Sequence, residues 1–122
     1  VRRALATALV PLGLATTDMA WAQEGAAVFK ACQSCHSLDP AKAGMAGPDL
    51  AKLGGRVLGS AEGFDYSPAF KAMRAQGLAW DRERLLSYLA DPDAVVPGGW
   101  MSPPAGLSRA DRAAVTDYLL GR

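Results

Sequence analysis

The sequence predicts an all-α fold of four to five helices, and three observations carry that expectation. Segments opening at Ser67-Pro68, Asp81 and Ser108 each begin with a capping residue and continue with apolar residues at helical spacing. No run shows the convincing apolar and polar alternation of a half-buried strand. The third observation is the pentapeptide Cys32-Gln33-Ser34-Cys35-His36, around which the remainder of the chain can be organised.

Two thiols flanking two residues and followed at once by an imidazole form the pattern of a c-type haem attachment site. The spacing lets both haem vinyl groups be captured as thioethers while the adjacent histidine reaches under the ring to the iron. Competing uses of the pair each lack a partner. A thioredoxin-like redox pair wants a βαβ pattern nearby, whereas these surroundings look helical. Zinc needs four ligands in a closed site, or three and a water in an open one. His36 is the only histidine, and Cys32 and Cys35 are the only cysteines. A disulfide would close a very short loop and leave His36 without a role. The reading is one covalent haem c, attached through Cys32 and Cys35 with His36 on the iron.

At 122 residues the chain is about one domain long, and 50% hydrophobic with 20% charged residues is an ordinary globular composition. A large apolar cofactor would supplement a core that only 7% aromatic residues would otherwise fill. The first residues differ from the rest. Arg2 and Arg3 are followed by an apolar run, Ala4 to Ala15, and then by the small-x-small triplet Ala20-Trp21-Ala22. This predicts a secretory signal peptide over 1–22, cleaved after Ala22, with a single c-type domain over 24–122 and a periplasmic location. The apolar run is broken by Pro11 and Gly13 and is too short for a membrane-spanning helix of about 20 residues.

Two of the 13 basic and one of the 12 acidic residues lie in the leader, leaving 11 of each. The domain is formally neutral. That composition offers no strong basic field for nucleic acid or for an anionic membrane.

After the leader, Glu24 to Cys35 reads as helix, with Gly25, Phe29 and Cys32 on one face. Glycine inside a helix costs about 1 kcal/mol relative to alanine, so Gly25 calls for a packing reason, such as close approach of another helix. From His36 to Arg56 the glycines and prolines predict loop. A haem-ligating imidazole usually donates its second ring nitrogen to a carbonyl, and the Gly47-Pro48 turn is a candidate source, with an ordinary surface turn as the alternative. Ser67-Pro68 opens a helix running to Gly77. Asp81 caps the next, with Leu85, Leu86, Tyr88 and Leu89 as its apolar stripe and Asp91-Pro92 as its end. Ser108 and Asp111 resemble a capping box ahead of a helix burying Ala114, Val115, Tyr118 and Leu119. Between these last two helices, Val95 to Leu107 is too rich in glycine and proline for regular structure.

That loop contains Met101, a candidate sixth ligand, because a soft thioether suits haem iron. Met19 leaves with the leader. Met73 sits in a helix where core filling is its expected role. Met45 follows His36 too closely to reach the opposite face of a haem.

In order along the chain, the blocks GAAVFKACQSCHSL, GPDLAKLGGRVLG, GFDYSPAFKAM, GLAWDRERLLSYLADPDAVVPGGWM and DRAAVTDYLL resemble the class I cytochromes c, the mitochondrial type and its bacterial relatives. The resemblance implies the small cytochrome c fold, with His36 and Met101 as axial ligands. It implies that Pro48 offers its carbonyl to His36, that Leu50 lies against the haem, and that Arg56, Tyr66 and Trp80 hold the propionates. Tyr88 would stand beside the methionine ligand, and Gly25 and Phe29 would meet Val115 and Tyr118 where the terminal helices cross.

The chain also departs from that family's pattern. Gly99 replaces a hydroxyl residue, Trp100 replaces a lysine, Ser102-Pro103-Pro104 replaces an aromatic-bearing segment, and Asp93 and Ala94 stand where lysines are frequent. The expected function is that of a soluble, monomeric, single-haem electron carrier and not an enzyme. Its expected partners are a quinol-oxidising complex, an oxidase, a reaction centre or a dehydrogenase. The alternative is a dedicated electron-accepting subunit of a periplasmic dehydrogenase. A peroxidase or gas-binding protein would need an open iron position, which a bound Met101 denies.

Overall fold

The computed structural model describes residues 8–9 and 17–121. Most of the expected leader therefore lies outside the described residues. Among those described there are five helices and no strands: α1 (Thr17–Phe29), α2 (Pro68–Ala75), α3 (Arg82–Ala90), α4 (Pro92–Val95) and α5 (Arg109–Leu120). The all-α expectation holds.

Local chemistry sets the helix starts. Ser67 Oγ accepts from Phe70 N at 3.2 Å, and Pro68, whose missing N–H is one of the donors a helix start leaves unpaired anyway, occupies the first turn of α2. Asp81 Oδ1 accepts from Arg84 N at 2.7 Å. At α5, Ser108 Oγ accepts from Asp111 N at 3.0 Å while Asp111 Oδ2 accepts from Ser108 N at 3.0 Å, a complete capping box.

Three elements differ from expectation. The first helix begins at Thr17 rather than Glu24 and tightens at Lys30–Cys32 into a 3₁₀ turn, which brings Cys32 O within reach of both Cys35 N and His36 N, at 3.1 and 2.9 Å. Asp91-Pro92 ends α3 but also opens α4, because proline is tolerated in a first turn; Val96 N then bonds Pro92 O at 2.8 Å, and the Val96 side chain is fully buried. The irregular segment thus begins at Val96, since Val95 closes α4.

The crossing of α1 and α5 closes the molecule. A Cβ built on Gly25 would stand 2.5 Å from Ala114 O and would run into Tyr118 Cβ, so only glycine permits this approach. Beside it, the Phe29 and Tyr118 rings pack with centroids 5.9 Å apart. The buried face of α5 is Ala114, Val115, Thr116 and Leu119, with Tyr118 half-buried rather than in the interior. An exposed Arg82–Asp117 ion pair at 2.8 Å links α3 to α5. Such exposed pairs contribute at most about 1 kcal/mol, so the apolar contacts hold this corner.

One antiparallel rung, Val57 with Ala79, ties the long loop to the segment before α3. Its flanking bonds, Trp80 N to Arg56 O at 2.9 Å and Leu58 N to Leu78 O at 2.8 Å, set Arg56 and Trp80 side by side. Among the described residues, no helix is long and apolar enough to cross a membrane.

Candidate functional site

The helices leave a cavity of about 480 Å³ between the 31–59 segment, the aromatic side chains of 64–88, the Trp100–Leu107 loop and α5. That volume lies in the range of small-molecule and cofactor sites. All ten residues singled out from the sequence line it: Cys32, Cys35, His36, Pro48, Leu50, Arg56, Tyr66, Trp80, Tyr88 and Met101. Met45 and Met73 do not, and Met73 packs against the core from α2 as expected.

His36 is buried and held on two sides. Its Nδ1 lies 2.7 Å from Pro48 O. A carbonyl oxygen can only accept, so Nδ1 carries the proton and, in the neutral ring, Nε2 keeps its lone pair for a metal. Gly47 lies directly against the imidazole: a Cβ there would fall 2.7 Å from Nδ1 and 2.9 Å from Nε2. The loop is pinned to the attachment turn by Gly47 N to Cys35 O and Leu50 N to Ser37 O, both 2.8 Å. Glycine at 47 thus serves the ring's position, a role hidden in the sequence because it depends on a residue eleven places earlier. The glycine-proline pair itself was the available signal.

The two cysteine sulfurs are unjoined. Burial pushes the Cys32 thiol of the haem-free chain above its ordinary range, and the neighbouring Cys35 adds to the effect.

One wall is a run of five aromatic rings. Phe64 meets Tyr66 edge-on at 4.9 Å, Tyr66 meets Phe70 at 5.5 Å, Phe70 meets Tyr88 at 5.8 Å and Trp80 at 6.5 Å, and Trp80 meets Tyr88 at 5.2 Å. Phe70, the hub of this wall, was missed in the sequence, where it reads as one more apolar residue of a short helix. Burial pushes the Tyr88 hydroxyl up to about 12, helped by the negative charge of Asp93. Burial also raises Tyr66, whose hydroxyl oxygen accepts from Ala61 N at 3.0 Å. Both phenols are neutral throughout the physiological range.

Among the described residues, Arg56 is the only Lys, Arg, Asp or Glu in the cavity wall. Its Nη1 donates to Asp49 Oδ1 at 3.3 Å and its Nη2 to Asp49 O at 2.5 Å. Asp49, whose side chain is only 10% exposed and which also accepts from Ala51 N, was likewise missed: its partner stands seven residues away in a loop without periodicity.

The donor set fits one planar macrocycle with an iron centre. Two thiols sit at the mouth, an imidazole nitrogen and a thioether are available to iron, the walls are apolar and aromatic, and one guanidinium can meet a carboxylate. Among the described residues, no group of three or more His, Cys, Asp or Glu could hold a metal in another way.

A helical shell around an apolar cavity lined by a Cys-x-x-Cys-His turn defines a c-type haem protein. The family model described as cytochrome c matches residues 22–122, and the chain belongs to that family. Its cofactor is haem c, bound covalently through Cys32 and Cys35. The chain is 47% identical over 73 residues to cytochrome c-550 of Novispirillum itersonii, covering 60% of this chain and 66% of that protein. It is 48% identical over 73 residues to a cytochrome c2 of Rhodopseudomonas palustris, covering 60% and 61%. The matches therefore span under two thirds of the length of these relatives. Among solved structures, ferricytochrome c2 from Rhodopseudomonas palustris superposes with a TM-score of 0.70 at 35% identity, covering 80% of this chain and 95% of that one.

Proposed function

We propose that this chain is a single-haem, one-electron carrier of the bacterial periplasm, with no substrate bond made or broken on it. The observation that carries the reading is the convergence of His36, already oriented by Pro48 and Gly47, with Met101 in one apolar cavity. Bound haem supplies a one-electron iron couple whose potential a methionine ligand raises.

The protein's own residues do the rest. His36 through Nε2 and Met101 through its sulfur would hold the iron, so that the protein itself would supply the ligands a substrate would otherwise have to replace. The aromatic wall and the apolar side chains of α3 and α5 exclude water, and rigid packing keeps ligand movement small when charge changes. Arg56, Tyr66 and Trp80 would hold the propionates, with Asp49 fixing the direction of the guanidinium. Leu50 fills the space against the ring, and Tyr88 packs from α3. The partners are redox proteins: a quinol-oxidising complex on one side, and an oxidase, a reaction centre or a dehydrogenase on the other. Residues 1–22 are the export leader, removed after Ala22.

The test is Met101→Ala. Ferric wild-type protein shows the weak far-red charge-transfer band of sulfur-ligated haem. The variant loses it, has a lower reduction potential and binds small ligands at the iron. Survival of the band in Met101→Ala, with its loss in Met45→Ala or Met73→Ala, would overturn the assignment.

A further inference from the structure

Resting on the carrier reading, we propose that the cavity mouth is a docking surface for a redox protein whose own electron port is ringed by apolar, uncharged side chains, with Trp100 as the anchor. Among the described residues, no Lys, Arg, Asp or Glu is an exposed member of the cavity wall. The exposed residues of the cavity wall are Ala31, Ser34, Cys35, Ala46, Trp100 and Ser102, all uncharged. Arg56, the one charged residue of the wall, lies deeper and is paired with Asp49. Lys30, next to Ala31 in sequence, is not part of the wall.

Trp100 is both a wall residue and 69% exposed. The other strongly exposed large apolar side chains among the described residues, Leu9 and Trp21, belong to the expected leader. After Trp100 the loop is stiffened by Pro103-Pro104, whose rings fix φ and leave less backbone freedom to lose on contact. A large aromatic side chain in an uncharged surround is the typical energetic centre of a protein contact. With no charged side chain among the exposed residues of the wall, the contact surface itself offers no charge to steer an encounter, and complementarity to it is apolar. One electron leaves one cofactor and enters the other across this contact, with no change in bonding.

The experiment is voltammetry of the holoprotein on gold bearing methyl-terminated or carboxylate-terminated alkanethiol monolayers, with a soluble mediator titration in parallel. Wild type gives its stronger reversible wave on the methyl surface. That wave is unchanged between about 10 mM and about 1 M salt, although the screening length falls from about 30 to about 3 Å. Trp100→Ala lowers electroactive coverage there by at least about tenfold, as expected for loss of a contact anchor. Trp100→Lys moves the preference to the carboxylate surface. Ala46→Glu, on a different segment of the rim, independently weakens coupling to the methyl surface.

A stronger wave on carboxylate that fades with salt overturns the docking proposal alone, as does unchanged methyl coupling in both Trp100→Ala and Ala46→Glu. Light scattering that shows a dimer split by Trp100→Lys assigns the face to a second copy and also overturns it. A holoprotein with no reversible couple on either surface or with the mediator overturns the carrier reading itself.

Discussion

Gly25→Ala is expected to destabilise the holoprotein although it replaces the poorer helix former with the best one. Alanine in a helix interior gains about 1 kcal/mol over glycine. Against that gain, the added Cβ would lie 2.5 Å from Ala114 O, whereas carbon–oxygen contacts rest at about 3.3 Å or more. Tyr118 Cβ blocks the other direction, and neither group is the end of a flexible side chain. The helices must therefore part by roughly 1 Å, a gap that forfeits a quarter to a half of each facing contact. Phe29, Val115 and Leu119 all depend on that seam. Overpacking costs about 1–3 kcal/mol, and a rigid seam belongs near the top of the range, so the net loss is about 2 kcal/mol. Guanidinium unfolding of ferric protein measures this as a lower midpoint at unchanged slope. Ala27→Gly, at an exposed position of the same helix, is the control and costs about 1 kcal/mol by propensity alone. A Gly25→Ala protein as stable as wild type would refute the close-approach argument.

Two further predictions concern α5. The backbone and side-chain hydrogen bonds of Ser108 hold the Asp111 carboxyl below its usual range, so the carboxylate stabilises the fold above the unfolded value and that contribution is lost as pH falls through the folded one. Melting temperatures of wild type and Asp111→Asn should therefore converge as acid protonates Asp111, and a gap that persists in acid would remove the cap from the account. Thr116 is fully buried, and among the described residues its Oγ1 is the buried side-chain atom without a hydrogen-bond partner. Thr116→Val should raise stability by about 1 kcal/mol in the same denaturant assay, because an unsatisfied buried hydroxyl costs that much or more; a decrease would show that the hydroxyl has a partner in solution.

What the sequence revealed and what it concealed divide along physical lines. The starts of α2, α3 and α5 were legible because a cap is a relation between residues three apart. The need for close packing at Gly25 was legible because glycine is costly in a helix. The attachment turn was legible because covalent chemistry fixes its spacing. Gly47 against His36, Asp49 on Arg56 and Phe70 at the hub of the aromatic wall were not, since each gains its role from a neighbour that only the folded loop supplies. Helix α4 was missed because a proline after an aspartate reads equally as a stop and as a start.

The closure of α1 on α5 has a consequence for how the molecule is assembled. It joins the first and the last of the described helices, so among the contacts between these helices it has the largest loop to close. Cys32, Cys35 and His36, by contrast, emerge early, at the end of the first helix, when none of the cavity's far walls yet exists. Haem can therefore be joined to an open chain, with both sulfurs accessible, and then serve as the surface on which the aromatic wall and the Met101 loop condense.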